Sequence, residues 1–538
     1  MRSPIHMSIM EGPFRTSLIM VALTLSIYAH GQPAILWQKC LGGTAVDYGR
    51  TIRQCANGNF IFLGTTTSND VDVSGNHGEE DLWLVSLDDS GTMLWQKCLG
   101  GTDQDLAGGG YMKEGSVEPT TDGGYFVVGS TYSNDGDVSG NHGSYDIWAL
   151  KLNAAGDIEW QRCLGGTAED RAGTGQQTSD GGYILSGTVH SINGDVVGHH
   201  GGFTDDAWVV KLDPFGNIQW QKCLGGTSTE DFGPVQQTAD SGYILICTTF
   251  SNNGDVSGYH GFGDAWVVKL DNDGNIQWQK CFGSGDSEQG KSIQPTADGG
   301  YIVAIDVWNT CNTGPFNMAV LKLDQNGDSL WQACFGGTLQ DAAGSAHEVN
   351  GGGYFLIGRT DSNDGDVNGN HGGNDVWLVR LNDTGAIQWQ LCLGGTSGAG
   401  SVQEEAYSML QLNDGDLVIG GTTNSDDGDV SGYHGGGSDA WIVRLSTTTG
   451  TQEEDAIGAS IVLDPTGSFI TISSVDGPRP SSATIIDASG RIVRSIALQH
   501  TGGLVTMEFG QQVSGLYAVQ VHFTDGTRKT VRFLRNNW

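Results

Sequence analysis

Acidic and amide side chains recur at fixed spacing in several loops of this 538-residue chain. The clearest copy places Asp364, Asp366 and Asn368 at alternate positions, followed by a glycine and then by Asp375, in the pattern D-x-D-x-N-G-x5-D. A Ca²⁺ loop requires alternate oxygen donors, a glycine for a sharp turn and a carboxylate twelve places along. These residues are therefore candidate calcium ligands, and calcium is the one cofactor expected.

Four further loops repeat this pattern with substitutions. They add the candidate calcium ligands Asp70, Asp72 and Asp81; Asp135, Asp137 and Asp146; Asp255 and Asp264; and Asp427 and Asp429. The loops resemble EF-hand calcium loops, but they lack flanking helices and carry Asp where a bidentate Glu is usual. The alternative is that they form Asx-turns, in which the last Asp accepts backbone hydrogen bonds at the start of a strand.

A second repeat, Trp-Gln-x-Cys, spaces these loops along the chain. It occurs at Trp37, Trp95, Trp160, Trp220, Trp278, Trp331 and Trp389, at intervals of 53 to 65 residues. A fixed period of this size indicates one supersecondary unit that is repeated. Each unit contains four stretches of alternating apolar residues bounded by Gly, Asn and Asp, which predicts two hairpins and a four-stranded antiparallel sheet.

Seven such sheets arranged radially predict an all-β, seven-bladed β-propeller over residues 32–446. The chain starts with a fourth-type strand at Trp37, and its last unit stops after Trp441 without one. The N-terminal strand is therefore expected to complete the seventh blade, close the ring and remove an open sheet edge. An open solenoid of stacked sheets is the alternative, and it would leave both ends unpaired.

A histidine accompanies most of the acidic loops, and a second acid follows most Gly-Gly-Thr sequences. The histidines are His77, His142, His200, His260, His371 and His434, and the second acids are Asp47, Asp105, Asp170, Asp231 and Asp341. Histidines spread around a ring are too far apart for one tetrahedral metal site, so a turn-stabilising role is expected. The second acids are expected nearer the axis, at a channel mouth. A paired-carboxylate hydrolase needs two acids in unlike surroundings, and symmetric repeats do not supply them, so no catalytic residue is predicted.

The long loops of all units are expected on one face of the ring, opposite the tight turns, and function is expected on that face. Units two and five break the repeat, near residues 108–118 and 308–316, and Tyr111, Trp308 and Phe316 are candidate ligand contacts if exposed. The seven repeated cysteines are interpreted as small buried apolar residues. The pairing of Cys55, Cys247 and Cys311 is left open.

The sequence Leu-Asp-x-x-Gly-x-Ile-x-Trp at 270–278 resembles the tryptophan-docking repeats of bacterial propellers, including quinoprotein dehydrogenases, and bacterial seven-bladed propeller repeats. The resemblance covers about 35–446. It implies a propeller fold and no particular activity. A tryptophan in each blade that buries about 150–250 Å² against its neighbour would stabilise each interface by several kcal/mol, so these tryptophans are expected in the core.

Composition and the N-terminus indicate an exported protein. Residues 1–31 are typical of a secretory signal peptide, with basic residues, a short apolar run and a small-residue cleavage site. We therefore expect passage through the Sec translocon and a location outside the cell, either secreted or on the outer cell surface. We also expect no membrane span and a monomer. The net charge of −36 argues against nucleic-acid partners, whose phosphates attract Lys and Arg.

After a linker at 447–460, residues 461–538 predict a small β-sandwich. This part resembles the type A C-terminal sorting domain of the type IX secretion system of Bacteroidota-like bacteria. The matching residues are Asp487, Gly490 and Arg491 in one hairpin, Gly515 and Tyr517 in a G-x-Y strand, and Arg532 in the basic-aromatic end. The resemblance implies export by the type IX machinery, followed by release or surface attachment. Two departures are Asp464-Pro465-Thr466 in place of Pro-Asn-Pro and an end that continues to Trp538.

We therefore interpret the chain as a non-catalytic binding or structural scaffold for an unknown extracellular glycan or protein. An extracellular propeller enzyme, such as a hydrolase, a lyase or a quinoprotein-like enzyme, is one alternative. A calcium-stiffened structural protein of the surface is the other. A quinoprotein is disfavoured by seven blades instead of eight and by the absence of adjacent paired cysteines.

Overall fold

The computed structural model describes residues 33–108, 115–202, 204–231, 233–309, 311, 314–396 and 404–447, and then strands between residues 459 and 535. Within these residues the chain forms β-strands joined by turns and loops. No helix in the described part of the chain is long and apolar enough to cross a bilayer. The expected all-β fold is confirmed.

The first described strand is β1 (Ala34–Leu41). Blade 1 contains β2 (Asp47–Gln54), β3 (Phe60–Thr66), β4 (Asp81–Leu87) and β5 (Met93–Leu99). Blade 2 contains β6 (Asp105–Leu106), β7 (Ser116–Pro119), β8 (Tyr125–Thr131), β9 (Asp146–Leu152) and β10 (Ile158–Leu164). Blade 3 contains β11 (Asp170–Gln177), β12 (Tyr183–Val189), β13 (Asp206–Leu212) and β14 (Ile218–Leu224).

Blade 4 contains β15 (Glu230–Asp231), β16 (Val235–Gln237), β17 (Tyr243–Thr249), β18 (Asp264–Leu270) and β19 (Ile276–Phe282). Blade 5 contains β20 (Glu288–Pro295), β21 (Tyr301–Trp308), β22 (Phe316–Leu323) and β23 (Ser329–Phe335). Blade 6 contains β24 (Asp341–Glu348), β25 (Tyr354–Thr360), β26 (Asp375–Leu381) and β27 (Ile387–Leu393). Blade 7 contains β28 (Glu405–Gln411), β29 (Leu417–Thr423) and β30 (Asp439–Ser446).

The ring closes through the N-terminal strand. β1 pairs antiparallel with β30 and completes blade 7 in the order β1-β30-β29-β28. The first strands of successive blades contact one another around the whole ring, from β2 through β7, β11, β16, β20, β24 and β28 back to β2. These first strands therefore surround the axis, and the fourth strands lie at the rim. The predicted closed seven-bladed ring is confirmed, and the open-solenoid alternative is wrong.

Aromatic residues fill the contacts between blades, but two sets of tryptophan divide this role. The tryptophans of the third strands, such as Trp83 and Trp266, are fully buried. Those of the Trp-Gln-x-Cys strands are half-buried, because their strands lie at the rim. Trp95 packs edge-on against Tyr125 of the next blade, with 6.0 Å between ring centroids. The expected contact of this second set with the neighbouring blade is confirmed, but these tryptophans are half-buried at the rim and not fully buried in the core.

In six of the seven Trp-Gln-x-Cys strands, the glutamine accepts a hydrogen bond from the third-strand tryptophan of the same blade. In blade 4, the indole Nε1 of Trp266 donates to Gln279 Oε1 at 2.6 Å, and Gln279 Nε2 donates to the backbone oxygen and hydroxyl of Ser257 in the long loop. The glycine in the turn between the third and fourth strands of the next blade is also constrained by the tryptophan of the Trp-Gln-x-Cys strand. A Cβ on Gly327, in blade 5, would lie 2.7 Å from the Trp278 ring of blade 4. The repeated motif is therefore explained by hydrogen bonding within a blade and by packing between blades.

One repeated cysteine differs from the rest. Cys334 forms a disulfide with Cys311, and their Cα atoms are 6.0 Å apart. The interpretation of all seven repeated cysteines as small apolar residues is therefore wrong for Cys334. The other six are unpaired and buried or half-buried, and burial raises the pKa of their thiols to about 12. The disulfide lies in blade 5, where the long loop is missing.

Beyond the propeller, seven strands form two antiparallel sheets. A three-stranded sheet contains β31 (Ala459–Leu463), β32 (Phe469–Ser474) and β35 (Leu504–Glu508), and a four-stranded sheet contains β33 (Pro480–Asp487), β34 (Ile492–Ala497), β36 (Gly515–Phe523) and β37 (Arg528–Arg535). Asp487 ends β33 and is opposite Tyr517, and Arg532 of β37 is opposite Ala518. Gly515 begins β36, whereas Gly490 and Arg491 lie outside the described residues.

Candidate functional site

The first acid of each long loop holds the Gly-Gly-Thr connection that enters the same blade. In blade 1, Asp70 accepts hydrogen bonds from the Thr44 backbone nitrogen at 2.8 Å and from its hydroxyl at 2.6 Å. The same arrangement joins Asp135 to Thr102, Asp364 to Thr338 and Asp427 to Thr396. These carboxylates bind a connection 26 to 33 positions earlier in the chain, so they are not the local Asx-turns of the alternative interpretation.

The other loop residues also bind to backbone groups. The carboxylates at the second position accept long hydrogen bonds of 3.3–3.4 Å from glycine N–H groups, and they are Asp72, Asp137, Asp255, Asp366 and Asp429. Asn368 contributes its backbone oxygen, which accepts from Gln390 at 2.7 Å. The described residues contain no group of three or more His, Cys, Asp or Glu side chains placed to hold a metal. Calcium binding by these loops stays a prediction.

Each loop histidine pairs with the acid that begins the third strand. His77 Nδ1 lies 2.6 Å from Asp81 Oδ2, and the His77 backbone N–H donates to the same oxygen at 3.0 Å. The same pair occurs as His142–Asp146, His200–Asp206, His260–Asp264, His371–Asp375 and His434–Asp439. The turn-stabilising role expected for these histidines is confirmed by this geometry.

The second repeated acids do not line a channel mouth. Asp47 is fully buried, and it accepts hydrogen bonds from the Gly43 N–H at 2.6 Å and from the Ser68 hydroxyl at 2.7 Å. In blade 4 this position belongs to Glu230, not to Asp231, because Glu230 accepts from the equivalent glycine N–H at 2.9 Å. The sequence placed these acids near the axis, but Asp47, Asp105, Asp170 and Asp341 are held inside the joins between blades.

Basic residues gather on the axis instead, although the chain has 26 Lys and Arg against 62 Asp and Glu. Arg50 is the extra residue of a β-bulge in β2, where the pairing with β3 shifts between Gly49 and Thr51. Such bulges redirect a side chain. The Arg50 guanidinium lies 5.1 Å from the Tyr48 ring and 5.7 Å from the Tyr407 ring. Its Nε and Nη1 are shielded from solvent and have no hydrogen-bond partner among the described residues.

Three blades supply this group, which we call the axial cluster: Tyr48, Arg50, Arg359, Glu405 and Tyr407. Glu405 accepts a hydrogen bond from the Tyr407 hydroxyl and forms an ion pair with Arg359 at 2.5 Å. Burial raises the pKa of Tyr407 well above its ordinary value, and the charge of Glu405 acts in the same direction. The phenol therefore stays protonated at neutral pH.

A serine and a histidine are also hydrogen-bonded on the inner strand of blade 6. Ser345 Oγ lies 2.8 Å from His347 Nε2. Burial lowers the pKa of His347 to about 4, and the positive charge of Arg53 adds to this shift. Arg53 itself forms an ion pair with Glu118 at 2.6 Å. The imidazole is therefore neutral at physiological pH.

The aromatic residues of the two broken repeats were candidate ligand contacts if exposed. Trp308 and Phe316 are half-buried and pack edge-on against each other, with 4.1 Å between ring centroids. They therefore do not form a freely exposed aromatic platform. Tyr111 lies outside the described residues.

Sequence reasoning missed the axial cluster because its members come from distant blades. Arg50 and Tyr407 are 357 positions apart, and ring closure places their strands, β2 and β28, side by side. The signal that could have found them was the pair of basic residues, Arg50 and Arg53, in the first strand of one blade. Lys291 has the bulge position of Arg50 in blade 5, but it forms an ion pair with Asp306.

No family model matches the chain. The regulatory protein FlaEY of Caulobacter vibrioides is 24% identical over 266 residues, 46% of this chain, which spans 26% of that protein. Puromycin hydrolase matches with 11% identity and a TM-score of 0.42, over 88% of this chain and 58% of that one. YCF48 bound to a D1 peptide matches with 10% identity and a TM-score of 0.40, over 78% and 99%. These similarities assign no activity to this chain.

Proposed function

We propose that this chain is an extracellular propeller that binds a carboxylate-bearing ligand at its axial cluster and does not transform it. The observation that carries the proposal is the division of polar residues in the ring. The repeated acids and histidines are used to hold the blades together, whereas the axial cluster occurs once. Functional chemistry is expected where a symmetric scaffold has a unique group of side chains.

The chemistry of the axial cluster is suited to binding. A guanidinium offers a planar set of donors that matches a carboxylate, and the two nearby tyrosine rings favour a flat or apolar neighbour. Arg359 is already paired with Glu405, whereas the Nε and Nη1 donors of Arg50 have no partner among the described residues. Arg50 is therefore the residue on which ligand binding should depend.

The screen for this ligand uses the full chain against acidic oligosaccharides, their neutral counterparts and peptides with free carboxylates. Arg50→Met removes the unpartnered guanidinium. Arg171→Met is the matched control, because Arg171 is on a first strand but lies against Tyr145 and Glu169. We expect a carboxylate-bearing ligand to bind the wild-type and Arg171→Met chains and not the Arg50→Met chain. Equal binding by all three would overturn the assignment of the site.

A hydrolase is the second candidate, because Ser345 and His347 are in contact. A general base works best when its pKa lies near the working pH, and the pKa of His347 is about 4. His347 is therefore poorly matched to the role of general base at neutral pH. Product analysis of the bound ligand separates the two functions. Cleavage by the wild-type chain that is lost in Ser345→Ala would establish the hydrolase.

Export through the type IX secretion system and a secreted or cell-surface location belong to the same proposal. The Cys311–Cys334 disulfide supports a location outside the cytoplasm, since disulfides form and persist in oxidising compartments. The test fuses residues 447–538 to a periplasmic reporter in a bacterium that has a type IX system. We expect the reporter in the medium or on the surface, and its retention in the periplasm on deletion of these residues. Retention of the complete fusion in the periplasm would refute the sorting role.

A further inference from the structure

The joins between successive blades bring together pairs of buried acids. One member begins the third strand of a blade, and the other lies at or just before the start of the first strand of the next. Between blades 6 and 7 these are Asp375 and Glu404. Asp375 is fully buried, as is Glu404. Among the described residues, Asp375 Oδ1 and Glu404 Oε2 have no hydrogen-bond partner.

These two unpartnered oxygens converge on one glycine. A Cβ on Gly394 would lie 2.7 Å from Asp375 Oδ1 and 3.1 Å from Glu404 Oε2. Only glycine leaves this space between the two carboxylates open, which explains the first glycine of the repeated Gly-Gly-Thr sequence. The other oxygen of each carboxylate has a partner, since the His371 backbone N–H donates to Asp375 Oδ2 and the Thr423 hydroxyl donates to Glu404 Oε1.

Five further joins repeat this pairing. The pairs are Asp439 with Asp47, Asp81 with Asp105, Asp146 with Asp170, Asp206 with Glu230, and Asp264 with Glu288. In each pair the Oδ1 of the third-strand acid is buried and has no partner in the described part of the chain; these acids are Asp81, Asp146, Asp206, Asp264 and Asp439. The arrangement is therefore a property of the ring and not of one blade.

We propose that each of these six joins binds one divalent cation, of the calcium type, between its two carboxylates. Two buried negative charges this close are costly unless a counter-charge is present, and one divalent cation neutralises both. The donors are oxygens without a thiolate, and Ca²⁺ prefers such hard ligands, with backbone oxygens and water completing its coordination.

The seventh join supplies an internal control. Between blades 5 and 6 the third-strand acid is replaced by Asn317, which lies near Asp341 at the equivalent glycine, Gly336. This join has one carboxylate and lacks the charge that a divalent cation would balance. Blade 5 also lacks the long loop and its histidine. The paired acid, the histidine and the loop are therefore absent together.

The site differs from the calcium loop expected from sequence. It uses Asp81 but replaces the loop acids Asp70 and Asp72 with Asp105 of the next blade. Asp70 already accepts two hydrogen bonds from Thr44. Substitution of a loop acid and of a join acid can therefore distinguish calcium binding in the loop from calcium binding in the join.

The full chain is equilibrated in a buffer that contains calcium and no other divalent metal. Bound calcium is then measured by elemental analysis, and the melting temperature is measured with and without chelator. The proposal predicts about six ions per chain, one for each paired join, and a higher melting temperature with calcium. Asp439→Asn copies the natural Asn317 join and should lose one ion. Asp70→Asn removes a loop carboxylate and should keep them all.

Three results would overturn the proposal. Loss of an ion from Asp70→Asn, with none lost from Asp439→Asn, would place calcium in the loops. The absence of bound calcium and of any effect of chelator on melting would mean that the pairs hold protons instead. An unchanged ion count in a folded Asp439→Asn chain, verified by circular dichroism, would show that the join is not the site. None of these outcomes depends on the ligand of the axial cluster.

Discussion

Glu404 provides the sharpest test of the blade joins in the metal-free protein. Burial raises the pKa of Glu404 from 4.5 to about 7, and the nearby charge of Asp375 acts in the same direction. The native state therefore binds the proton more tightly than the unfolded chain, and the stability that this proton provides is lost as the pH rises through 7. Metal-free conditions are needed because a cation between Asp375 and Glu404 would take the place of the proton.

The size of the effect follows from the shift. Since one pKa unit corresponds to about 1.4 kcal/mol, the ionised Glu404 costs on the order of 3 kcal/mol of folding free energy at pH 9. Glu404→Gln keeps the shape of the side chain and removes its charge. We therefore expect this variant to be more stable than wild type at pH 9, by up to this amount, and similar to wild type at pH 5.

Urea unfolding between pH 5 and 9 in metal-depleted buffer measures this difference. Glu79→Gln is the matched control, because Glu79 is exposed and its replacement should leave the pH profile unchanged. Parallel profiles for Glu404→Gln and wild type would refute the buried-pair explanation. A variant that is less stable than wild type at pH 9 would refute its sign.

Three further predictions concern the stability of the ring, each measured by urea unfolding. Gln279→Ala leaves the indole N–H of the third-strand tryptophan unpartnered and should cost about 1–3 kcal/mol, whereas Gln279→Glu keeps the acceptor and should cost less. Cys334→Ala opens a disulfide that spans 23 positions and should cost about 3 kcal/mol, whereas Cys392→Ala, at the equivalent unbridged position, should cost less, and reductant should weaken only the wild type. Gly327→Ala should cost more than the about 1–2 kcal/mol of left-handed backbone strain that Gly299→Ala also incurs, since only Gly327 lies against a tryptophan of the preceding blade.

The architecture was predictable because each local pattern repeats. Seven Trp-Gln-x-Cys strands with out-of-phase ends indicated both the blade number and the closure by β1, and the structure confirms them. The depth of the tryptophans was not predictable in the same way. Trp95 and Trp83 occupy similar alternating patterns, and only the radial order of the strands decides that Trp83 is fully buried and Trp95 is at the rim.

The candidate sites were harder to predict, because they depend on contacts between blades. The loop acids could be recognised from spacing. Spacing alone could not show that Thr44 donates a hydrogen bond to Asp70, or that Asp81 lies close to Asp105 of the next blade. The axial cluster was invisible for a related reason. A bulge sets the direction of Arg50, and ring closure brings Tyr407 beside it.

The central claim is that the axial cluster binds a carboxylate-bearing ligand without changing it. Titration calorimetry with the ligand found in the screen, followed by product analysis of the same mixture, tests both parts. We predict saturable binding to wild type, loss of binding in Arg50→Met and recovery of the ligand chemically unchanged. Equal binding to both chains, or a ligand recovered as products, would contradict the claim.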